Sequence, residues 1–544
     1  MKILGKPDLS NRYDVIVVGS GAGGLVAALT AASAGQSVLV LEKSGQIGGT
    51  SAVSAGTIWI PANDGMAEGG VDDDIESART YLAQTVGGSE VSDAFLDHAN
   101  AMVAFLREHT TLELVTSVGY PDYKLGLEGS RYGRAMQPTI YDSRLLGEWK
   151  DLLRRDENLL QYSMIEFKQW GSWANFPWEK LRERTAKGIV ARGAALVGPV
   201  FQACLQAGVD FALEAPAQDL LEEDGVVRGV ALADRQITAT GGVVLACGGF
   251  EWNAEMMSEY LPMTIPIRCS PPHNTGDGHR MAARLDARFD HMDEAWWAPM
   301  VSVPGQEVEG QRVGRHIRSE RQSPGVIIVD STGKRIVNEA QDYNSLIRSA
   351  LAASEAKGIP LRMFVVFDHR FLERYGFLTY SAGDELPEWI TTGASLTDIA
   401  EGLGFEAQDL AVTVERFNKF AETGVDEDFH RGESPYDQYS GDPTNPYPNA
   451  NLAPIEIGPF YGMEFLPGAF GTAGGVVTDA RGRALRSDGT VVPGLFAVGN
   501  VSANPLSTGY PGAGSTLGPA MTLGYIAGTA LADTRTVSEI GGTK

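Results

Sequence analysis

The chain has 544 residues, of which 43% are apolar and 21% charged, and its formal net charge is −25. This length predicts two domains, and the acidity argues against binding nucleic acid or an anionic membrane by charge. Cys204, Cys247 and Cys269 are too scattered for a disulfide framework or a paired-cysteine metal site, which favours a reducing, cytoplasmic compartment.

Membrane insertion is not predicted, because no apolar run reaches the roughly 18 residues of a membrane span. The N-terminal 14 residues also lack the apolar core of a signal peptide. The aromatic-rich stretch 165–178 (IEFKQWGSWANFPW) leaves peripheral membrane contact open, although a buried or lid segment is the favoured interpretation.

The first 42 residues predict a βαβ unit. Residues 13–18 (YDVIVV) are typical of a short buried strand, 25–34 of an alanine-rich helix, and 37–42 (SVLVLE) of a second strand. Further strands are predicted at 226–232, 241–250 and 494–500, and a helix at 516–533.

Features of a dinucleotide-binding domain therefore occur at both ends of the chain, whereas the middle is rich in proline, aromatic residues and loops. We predict an α/β fold in which residues 1–298 and 472–544 form a discontinuous, Rossmann-like FAD-binding domain. Residues 299–471 are predicted to form an inserted α+β catalytic, or capping, domain.

The turn after the first strand has the pattern G-x-G-x-x-G over residues 19–24. Gly19 permits a tight turn, Gly21 allows backbone to approach a pyrophosphate, and Gly24 lets the helix pack on the strand. Glu42 ends the next strand, where its carboxylate can accept hydrogen bonds from both ribose hydroxyls. The glycine turn lies between a strand and a helix, and Glu42 follows at the end of the next strand; together these features predict nucleotide binding.

The residues after Glu42 favour FAD over NAD. Gly48, Gly49, Thr50 and Ser51 form a second glycine- and hydroxyl-rich loop, which a flavin needs as its pyrophosphate and ribityl chain pass. Gly499 and Asn500 are predicted to face the ribityl chain, and the following helix to direct its N-terminus at the flavin N1/O2 edge. The remaining predicted FAD contacts are Ala22, Gly23, Lys43, Gly56, Gly248 and Leu517.

Several segments resemble the flavoprotein superfamily of succinate dehydrogenase and fumarate reductase, among them GGTSAVSAGTIWIP and GAFGTAGGVVTD. Within it the chain is more similar to the 3-ketosteroid Δ1-dehydrogenases, over most of its length. That similarity is carried by YPDY (120–123), PGVIIVDSTGKRIVNEAQDY (324–343) and YPGAGSTLGPAMTLGYIAG (510–528). Flavoproteins of the superfamily that bind FAD covalently have a histidine in the GGTSAVSAG segment; none occurs here, so noncovalent FAD is expected.

This resemblance implies desaturation of the steroid A ring between C1 and C2. Tyr343 then matches the base that removes the C2 proton, and Tyr123 the tyrosine that assists it. Tyr510 and the backbone N–H of Gly514 match the pair that hydrogen-bonds the C3 carbonyl. The sequence departs from the family pattern after YPDY, where it reads KLGLEGS, and at 54–56, where Ser-Ala-Gly replaces the commoner Ser-Gly-Gly.

The chemistry is consistent with these residue types. A tyrosine hydroxyl and a backbone N–H form a two-donor oxyanion hole, and a glycine leaves room for the carbonyl. A free tyrosine has a pKa of about 10, so Tyr343 is a poor base unless its pKa is lowered. A hydrogen bond from Tyr123 to the phenolate would lower it.

Other functions remain as alternatives. A dehydrogenase for another steroid double bond or for a smaller cyclic ketone would use the same tyrosine chemistry. A fumarate-like reductase is less favoured, because residues 494–528 contain no Lys or Arg to hold a dicarboxylate. A non-catalytic electron-transfer flavoprotein lacks the support of an iron–sulfur cysteine pattern.

No metal site is predicted, since His273 and His279 have no further ligands at useful spacing. No second dinucleotide fingerprint occurs, so NAD(P) is not the expected electron acceptor. An external carrier such as a quinone is expected instead.

Overall fold

A computed structural model describes residues 2–4, 8–156, 160–170, 176–506 and 508–541. The described residues form two large sheets with helices packed around them, which confirms the predicted mixed α/β fold. The first sheet has nine described strands: Lys2–Leu4, Arg12–Val18, Val38–Leu41, Asp210–Leu213, Asp219–Glu223, Val226–Ala231, Gln236–Leu245, Arg483–Leu485 and Val491–Ala497.

Five strands of this sheet run parallel, and they include the pair that the predicted βαβ unit implies. Arg12–Val18 lies between Val38–Leu41 and Gln236–Leu245, and Val491–Ala497 pairs with the far side of Gln236–Leu245. The central strands are buried on both faces, which explains their unbroken runs of valine, leucine and isoleucine. The late strand therefore brings the C-terminal part of the chain into the N-terminal sheet.

The helices around the first sheet include two that pack closely on each other, Ala22–Ser33 and Leu517–Gly541. The last helix continues to Gly541 rather than ending at 533, because no proline and no internal glycine interrupts residues 534–540. The other helices before residue 290 are Gly49–Ala52, Asp64–Glu68, Ile75–Thr85, Glu90–His109, Met164–Trp170, Trp178–Ala186, Arg192–Gln206, Ala254–Tyr260 and Asp277–Ala283. None of the helices in the described ranges is both long and apolar enough to cross a membrane.

The second sheet contains six described strands: Ala295–Val308, Gln311–His316, Val326–Asp330, Met363–Asp368, Thr391–Gly393 and Phe460–Thr472. Its pairings are antiparallel. The strands Ala295–Val308 and Phe460–Thr472 extend across the predicted boundaries at 298/299 and 471/472. The division into two domains at those positions stays a prediction.

Six helices accompany the second sheet: Ser319–Gln322, Tyr343–Lys357, His369–Tyr375, Leu396–Leu403, Ala407–Thr423 and Pro435–Ser440. Three small sheets complete the described strands. One contains Ile58–Trp59, Ala135–Pro138 and Leu114–Thr116; a second pairs Tyr141–Asp142 with Ile189–Val190; and a third pairs Phe289–Asp290 with Gly475–Val476. The structure also contains the 3-10 helices Ser143–Leu152 and Gly499–Val501. The aromatic stretch 165–178 falls partly outside the described residues; Phe176 packs with Tyr162 and Leu181 in a small buried cluster.

A buried ion network holds the segment that leads into the helix Tyr343–Lys357. Arg335 forms ion pairs of 2.8 Å with both Glu339 and Asp426, and Arg431 pairs with Glu339 at 3.1 Å. The side chains of Glu339 and Asp426 are 0% exposed. Charges taken out of water are stable only when paired, so each partner here depends on the others.

We expect Arg335→Met to destabilise the protein by roughly 3–5 kcal/mol, because it leaves two buried carboxylates short of a cation. Thermal unfolding followed by circular dichroism will measure the change as a lower midpoint. Arg362→Met is the matched control, since Arg362 is 55% exposed and pairs with Glu464 at the surface; its cost should be about 0–1 kcal/mol. Equal midpoints for the two variants would contradict the structural role of the network.

Candidate active site

The glycines of the first turn are required by close backbone contacts. Gly19 has a φ of +109°, and a Cβ there would lie 2.4 Å from the carbonyl oxygen of Ala246. A Cβ on Gly24 would lie 2.3 Å from the Gly19 oxygen, and one on Gly23 would lie 2.7 Å from that of Ala520. Gly23 thus lets the first helix approach the last one.

Gly21 differs from its neighbours, because a Cβ at this position would meet no protein atom closer than 3.6 Å, the Ser51 Oγ. The N–H of Ala22 donates to that same oxygen at 3.1 Å. Within the described part of the chain, the N–H groups of Gly23 and Gly24 have no acceptor. The turn therefore offers free space and free donors at a helix N-terminus, the features that bind a phosphate.

Glu42 is buried at the end of its strand. Its carboxylate accepts hydrogen bonds from the Ser20 hydroxyl at 2.6 Å and the Ser44 N–H at 2.8 Å, so it also ties the two loops together. Lys43, the next residue, pairs with Asp277 at 2.8 Å.

The second loop and the later strands complete this end of the site. The Thr50 hydroxyl accepts from Asn274 at 3.0 Å, and the Asn500 side-chain oxygen accepts from Trp296 at 3.1 Å. Gly56 and Gly248 have φ values of +74° and +78°, and a Cβ on either would overlap its neighbours. Leu517 begins the last helix.

All of the predicted cofactor residues line one continuous cavity of about 1500 Å³, and so do the four predicted catalytic residues. A site for one drug-sized ligand takes about 300–1,000 Å³. The cavity is therefore large enough for a cofactor and a second molecule beside it.

The three predicted catalytic tyrosines come together in the same buried cluster. Tyr343 lies with its ring centre 5.4 Å from that of Tyr123 and 5.1 Å from that of Tyr510. Tyr123 stacks on Tyr510 with centres 5.7 Å apart and an interplanar angle of 12°. The sequence separates these residues by hundreds of positions, and the fold joins them.

Two contacts fix the positions of the tyrosines relative to one another. The N–H of Tyr123 donates to the carbonyl of Pro511 at 2.8 Å, which fixes the YPDY loop against Tyr510. Lys124 pairs at 2.7 Å with Asp342, whose side chain caps the helix that begins at Tyr343. The residue next to each tyrosine therefore anchors it.

The backbone at the predicted carbonyl clamp is unusual. Tyr510 has a φ of +42°, a region that a bulky side chain rarely adopts. Gly514 has a φ of +95°, and a Cβ there would lie 2.4 Å from the carbonyl carbon of Ile58. The N–H groups of Gly514, Thr516 and Leu517 donate to no acceptor among the residues described, so free donors lie at the start of the last helix.

Burial raises the pKa of the Tyr343 hydroxyl well above its usual value, and the nearby Tyr510 oxygen raises it further. The Tyr123 hydroxyl lowers it by hydrogen bonding, as predicted, but burial outweighs that effect. Burial also raises the pKa values of Tyr123 and Tyr510. The tyrosines are thus protonated at neutral pH in this structure, and a basic Tyr343 needs further stabilisation of its phenolate.

Sequence reasoning missed several residues at the tyrosine end of the cavity. Tyr436 packs 5.3 Å from Tyr123, and Trp296 packs 5.3 Å from Tyr510. The segment ESPYDQY contains Tyr436, but its sequence alone does not distinguish a tyrosine that lines the cavity from one that packs elsewhere. Arg318 also borders the cavity, although it lies outside residues 494–528, the stretch in which the sequence shows no Lys or Arg.

The two histidines considered for a metal have protein partners instead. His273 contacts Glu309 at 2.6 Å, and His279 contacts the Gly474 carbonyl at 3.1 Å. Burial lowers the pKa of His279 to about 4. In the described ranges, no group of three or more His, Cys, Asp or Glu residues is placed to hold a metal ion.

Gly21→Val should yield a folded protein without bound cofactor, because the branched side chain fills the space that the turn leaves free. The measurement is the absorbance spectrum of the purified protein, together with its thermal unfolding midpoint. Gly45→Val is the control: Gly45 is exposed, and a Cβ there meets only the Glu214 side chain, at 3.6 Å. A yellow Gly21→Val protein with normal cofactor content would show that the turn does not hold the phosphates.

The chain is similar to known proteins over most of its length. The model of the FAD binding domain family matches residues 14–517. A 4-oxocyclohexanecarboxylate 2-dehydrogenase of Sinomonas cyclohexanicum is 43% identical over 536 residues, covering 96% of this chain and 93% of that protein. A 3-oxosteroid 1-dehydrogenase of Mycobacterium tuberculosis (strain ATCC 25618 / H37Rv) is 40% identical over 568 residues, covering 96% and 98%.

A solved structure is similar along the whole chain. The 3-ketosteroid Δ1-dehydrogenase of Sterolibacterium denitrificans, crystallised in complex with 1,4-androstadiene-3,17-dione, matches with a TM-score of 0.89 and 34% identity. The match covers 96% of this chain and 100% of that one.

Proposed function

Because this chain belongs to the FAD-binding family of the 3-oxosteroid 1-dehydrogenases, we propose that it desaturates a 3-ketosteroid between C1 and C2. The observation that carries the proposal is the cavity in which Tyr123, Tyr343, Tyr510 and the free N–H of Gly514 lie together. A ring ketone beside this group meets two hydrogen-bond donors and a candidate base.

FAD is the cofactor of the family, and the cavity fits it. The free space at Gly21 and the unpaired N–H groups of Gly23 and Gly24 suit the pyrophosphate, and the start of the last helix suits the flavin ring. Bound noncovalently, FAD would supply the acceptor for a hydride. Residues of the second loop, together with Gly499 and Asn500, would hold the ribityl chain that joins the pyrophosphate of FAD to its flavin ring.

The carbonyl clamp makes the neighbouring carbon acidic. The Tyr510 hydroxyl and the Gly514 N–H would donate to the ketone oxygen and stabilise the negative charge that develops there. Tyr343 would take the α proton, with Tyr123 donating to its oxygen. Loss of the α proton to Tyr343 and of a hydride from the β carbon to FAD would leave a carbon–carbon double bond in the ring.

A second candidate substrate is a smaller ring ketone. The relative from Sinomonas cyclohexanicum is as similar as the steroid enzymes and is named for 4-oxocyclohexanecarboxylate. The same tyrosines would serve that ring. Anaerobic mixing with androst-4-ene-3,17-dione or with 4-oxocyclohexane-1-carboxylate distinguishes the two, because only a substrate bleaches the flavin absorbance. An external electron acceptor, with a quinone as the candidate, then restores the oxidised enzyme.

Tyr510→Phe should lower turnover by about 10²–10³, because it removes one of two donors to the developing enolate. The FAD content should not change. Tyr525→Phe, on the last helix and outside the cavity, is the control. Turnover of Tyr510→Phe within a factor of three of the parent would place the carbonyl clamp elsewhere.

Tyr343→Phe should slow flavin reduction by several orders of magnitude, because it removes the hydroxyl that accepts the proton. Substrate affinity should change little, because the aromatic ring that packs on the substrate remains. Stopped-flow mixing under anaerobic conditions measures both quantities. Rapid flavin reduction in Tyr343→Phe would rule out this base.

The pH dependence tests the partner of the base. Because burial raises the pKa of Tyr343, the rate should rise through the alkaline range as the phenol ionises. Tyr123→Phe removes the group that lowers this pKa, so the rise should move to higher pH. A shift to lower pH, or none, would contradict the role of Tyr123.

A further inference from the structure

Arg318 places a positive charge at the tyrosine end of the cavity. It lies between the strand Gln311–His316 and the helix Ser319–Gln322. Its guanidinium carbon is 5.0 Å from the centre of the Tyr120 ring, and one N–H group donates to the Tyr120 hydroxyl at 2.6 Å. The side chain borders the cavity.

Among the described residues this guanidinium forms no ion pair with a carboxylate, and the ionisable groups that act on it most strongly are the phenols of nearby tyrosines. Glu320 is two residues away, but its carboxylate accepts from the Ser319 hydroxyl at 3.3 Å. Apart from the bond to Tyr120, no hydrogen bond joins the guanidinium to another described residue. Most of its donors therefore remain available to a ligand.

Of the four other lysine and arginine residues that border the cavity, three are already engaged, and the fourth, Arg315, like Arg318, forms no ion pair with a described residue. Lys43 pairs with Asp277, Arg154 pairs with Glu309, and Arg192 stacks 4.2 Å from the Tyr162 ring centre. Lys43 also donates to the Thr275 hydroxyl, just before the helix Asp277–Ala283, and Arg154 donates to the Ser44 hydroxyl in the loop after Glu42. They belong to the cofactor end, whereas Arg318 faces Tyr120.

A chain of aromatic rings separates Arg318 from the carbonyl clamp. Arg318 stacks on Tyr120, whose ring centre is 6.4 Å from that of Tyr123, and Tyr123 stacks on Tyr510. A substrate held by its ketone at Tyr510 and Gly514 would therefore extend towards the cation with its opposite end.

An arginine is charged at every physiological pH, and removing it from water is costly unless an anion compensates. Its planar fork matches a carboxylate through two parallel hydrogen bonds. The neighbouring phenols accept hydrogen bonds but carry no charge at neutral pH. A carboxylate on a bound ligand would supply the negative charge that the described residues do not provide here.

We propose that Arg318 is a specificity-determining residue that binds a carboxylate carried by the substrate at the end opposite to its ring ketone. This rests on the proposed ring-ketone desaturation and narrows its substrate class to oxo-acids. Two sources supply that chemistry: a short ring acid such as 4-oxocyclohexane-1-carboxylate, and a 3-ketosteroid with an acidic side chain.

The test compares each acid with its neutral methyl ester, using an artificial electron acceptor to obtain kcat and KM. The wild-type enzyme should favour one of the acids over its ester by roughly 10–10²-fold in kcat/KM, the value of hydrogen bonds to a charged group. The acid that shows the preference identifies the source. Equal kcat/KM for acid and ester in both pairs would overturn the inference.

Arg318→Met should remove that preference. Its kcat/KM for the acid should fall roughly 10–10²-fold, mainly through KM, and its kcat/KM for the ester should stay within about threefold. Arg318→Lys should recover part of the loss, because it restores the charge without the fork. Arg362→Met, an exposed arginine, should behave as wild type.

The outcomes separate the inference from the function on which it rests. If Arg318→Met slows acid and ester equally, the arginine acts on the tyrosines and the inference is wrong. If the esters are turned over but the acids are not preferred, the result supports the proposed desaturation and rejects the proposed carboxylate site at Arg318. If no ring ketone reduces the flavin, the proposed function itself fails.

Discussion

The contact among three phenol rings is the constraint on which the rest of the site depends. Tyr123, Tyr343 and Tyr510 come from three distant parts of the chain, and their ring centres lie 5.1–5.7 Å apart. Each is held through its neighbour: the Tyr123 backbone bonds to Pro511, and Lys124 bonds to Asp342. The buried pairs around Arg335 support the segment that ends at Tyr343. The site therefore exists only when both sheets are assembled around it.

The same assembly explains why the predicted cofactor-binding and catalytic residues line one cavity. Three of the five parallel strands are followed within three residues by a glycine of the site, Gly19, Gly248 or Gly499. The last helix begins beside Gly514, so backbone N–H groups without an acceptor among the described residues line one side. The tyrosines form the other side, with Tyr343 supplied by a helix that packs on the second sheet. A ring ketone between them would have donors at its oxygen and a phenol at its α carbon. This arrangement suits removal of a proton and a hydride from adjacent carbons.

The nucleotide end of this site was predictable because its signals are local. Gly19, Gly24 and Glu42 belong to one βαβ unit, whose strands Arg12–Val18 and Val38–Leu41 differ from the predicted ranges by no more than one residue at either end. The tyrosines could be assigned only through family resemblance, since nothing local marks Tyr343 or Tyr510 among 17 tyrosines. Arg318 could not be identified from the sequence, because the sequence does not show that its guanidinium lacks a carboxylate partner in the folded protein. An unpaired cation is a property of three-dimensional packing, as is the effect of burial on the pKa of Tyr343.

The most direct test of the central claim is a crystal structure of the protein with its dienone product. The account predicts that the ketone oxygen lies about 2.7–3.1 Å from both the Tyr510 hydroxyl and the Gly514 nitrogen. The Tyr343 hydroxyl should then lie against the α carbon, on the ring face opposite to the flavin. A ketone bound elsewhere in the cavity, or Tyr343 on the same face as the flavin, would contradict the account.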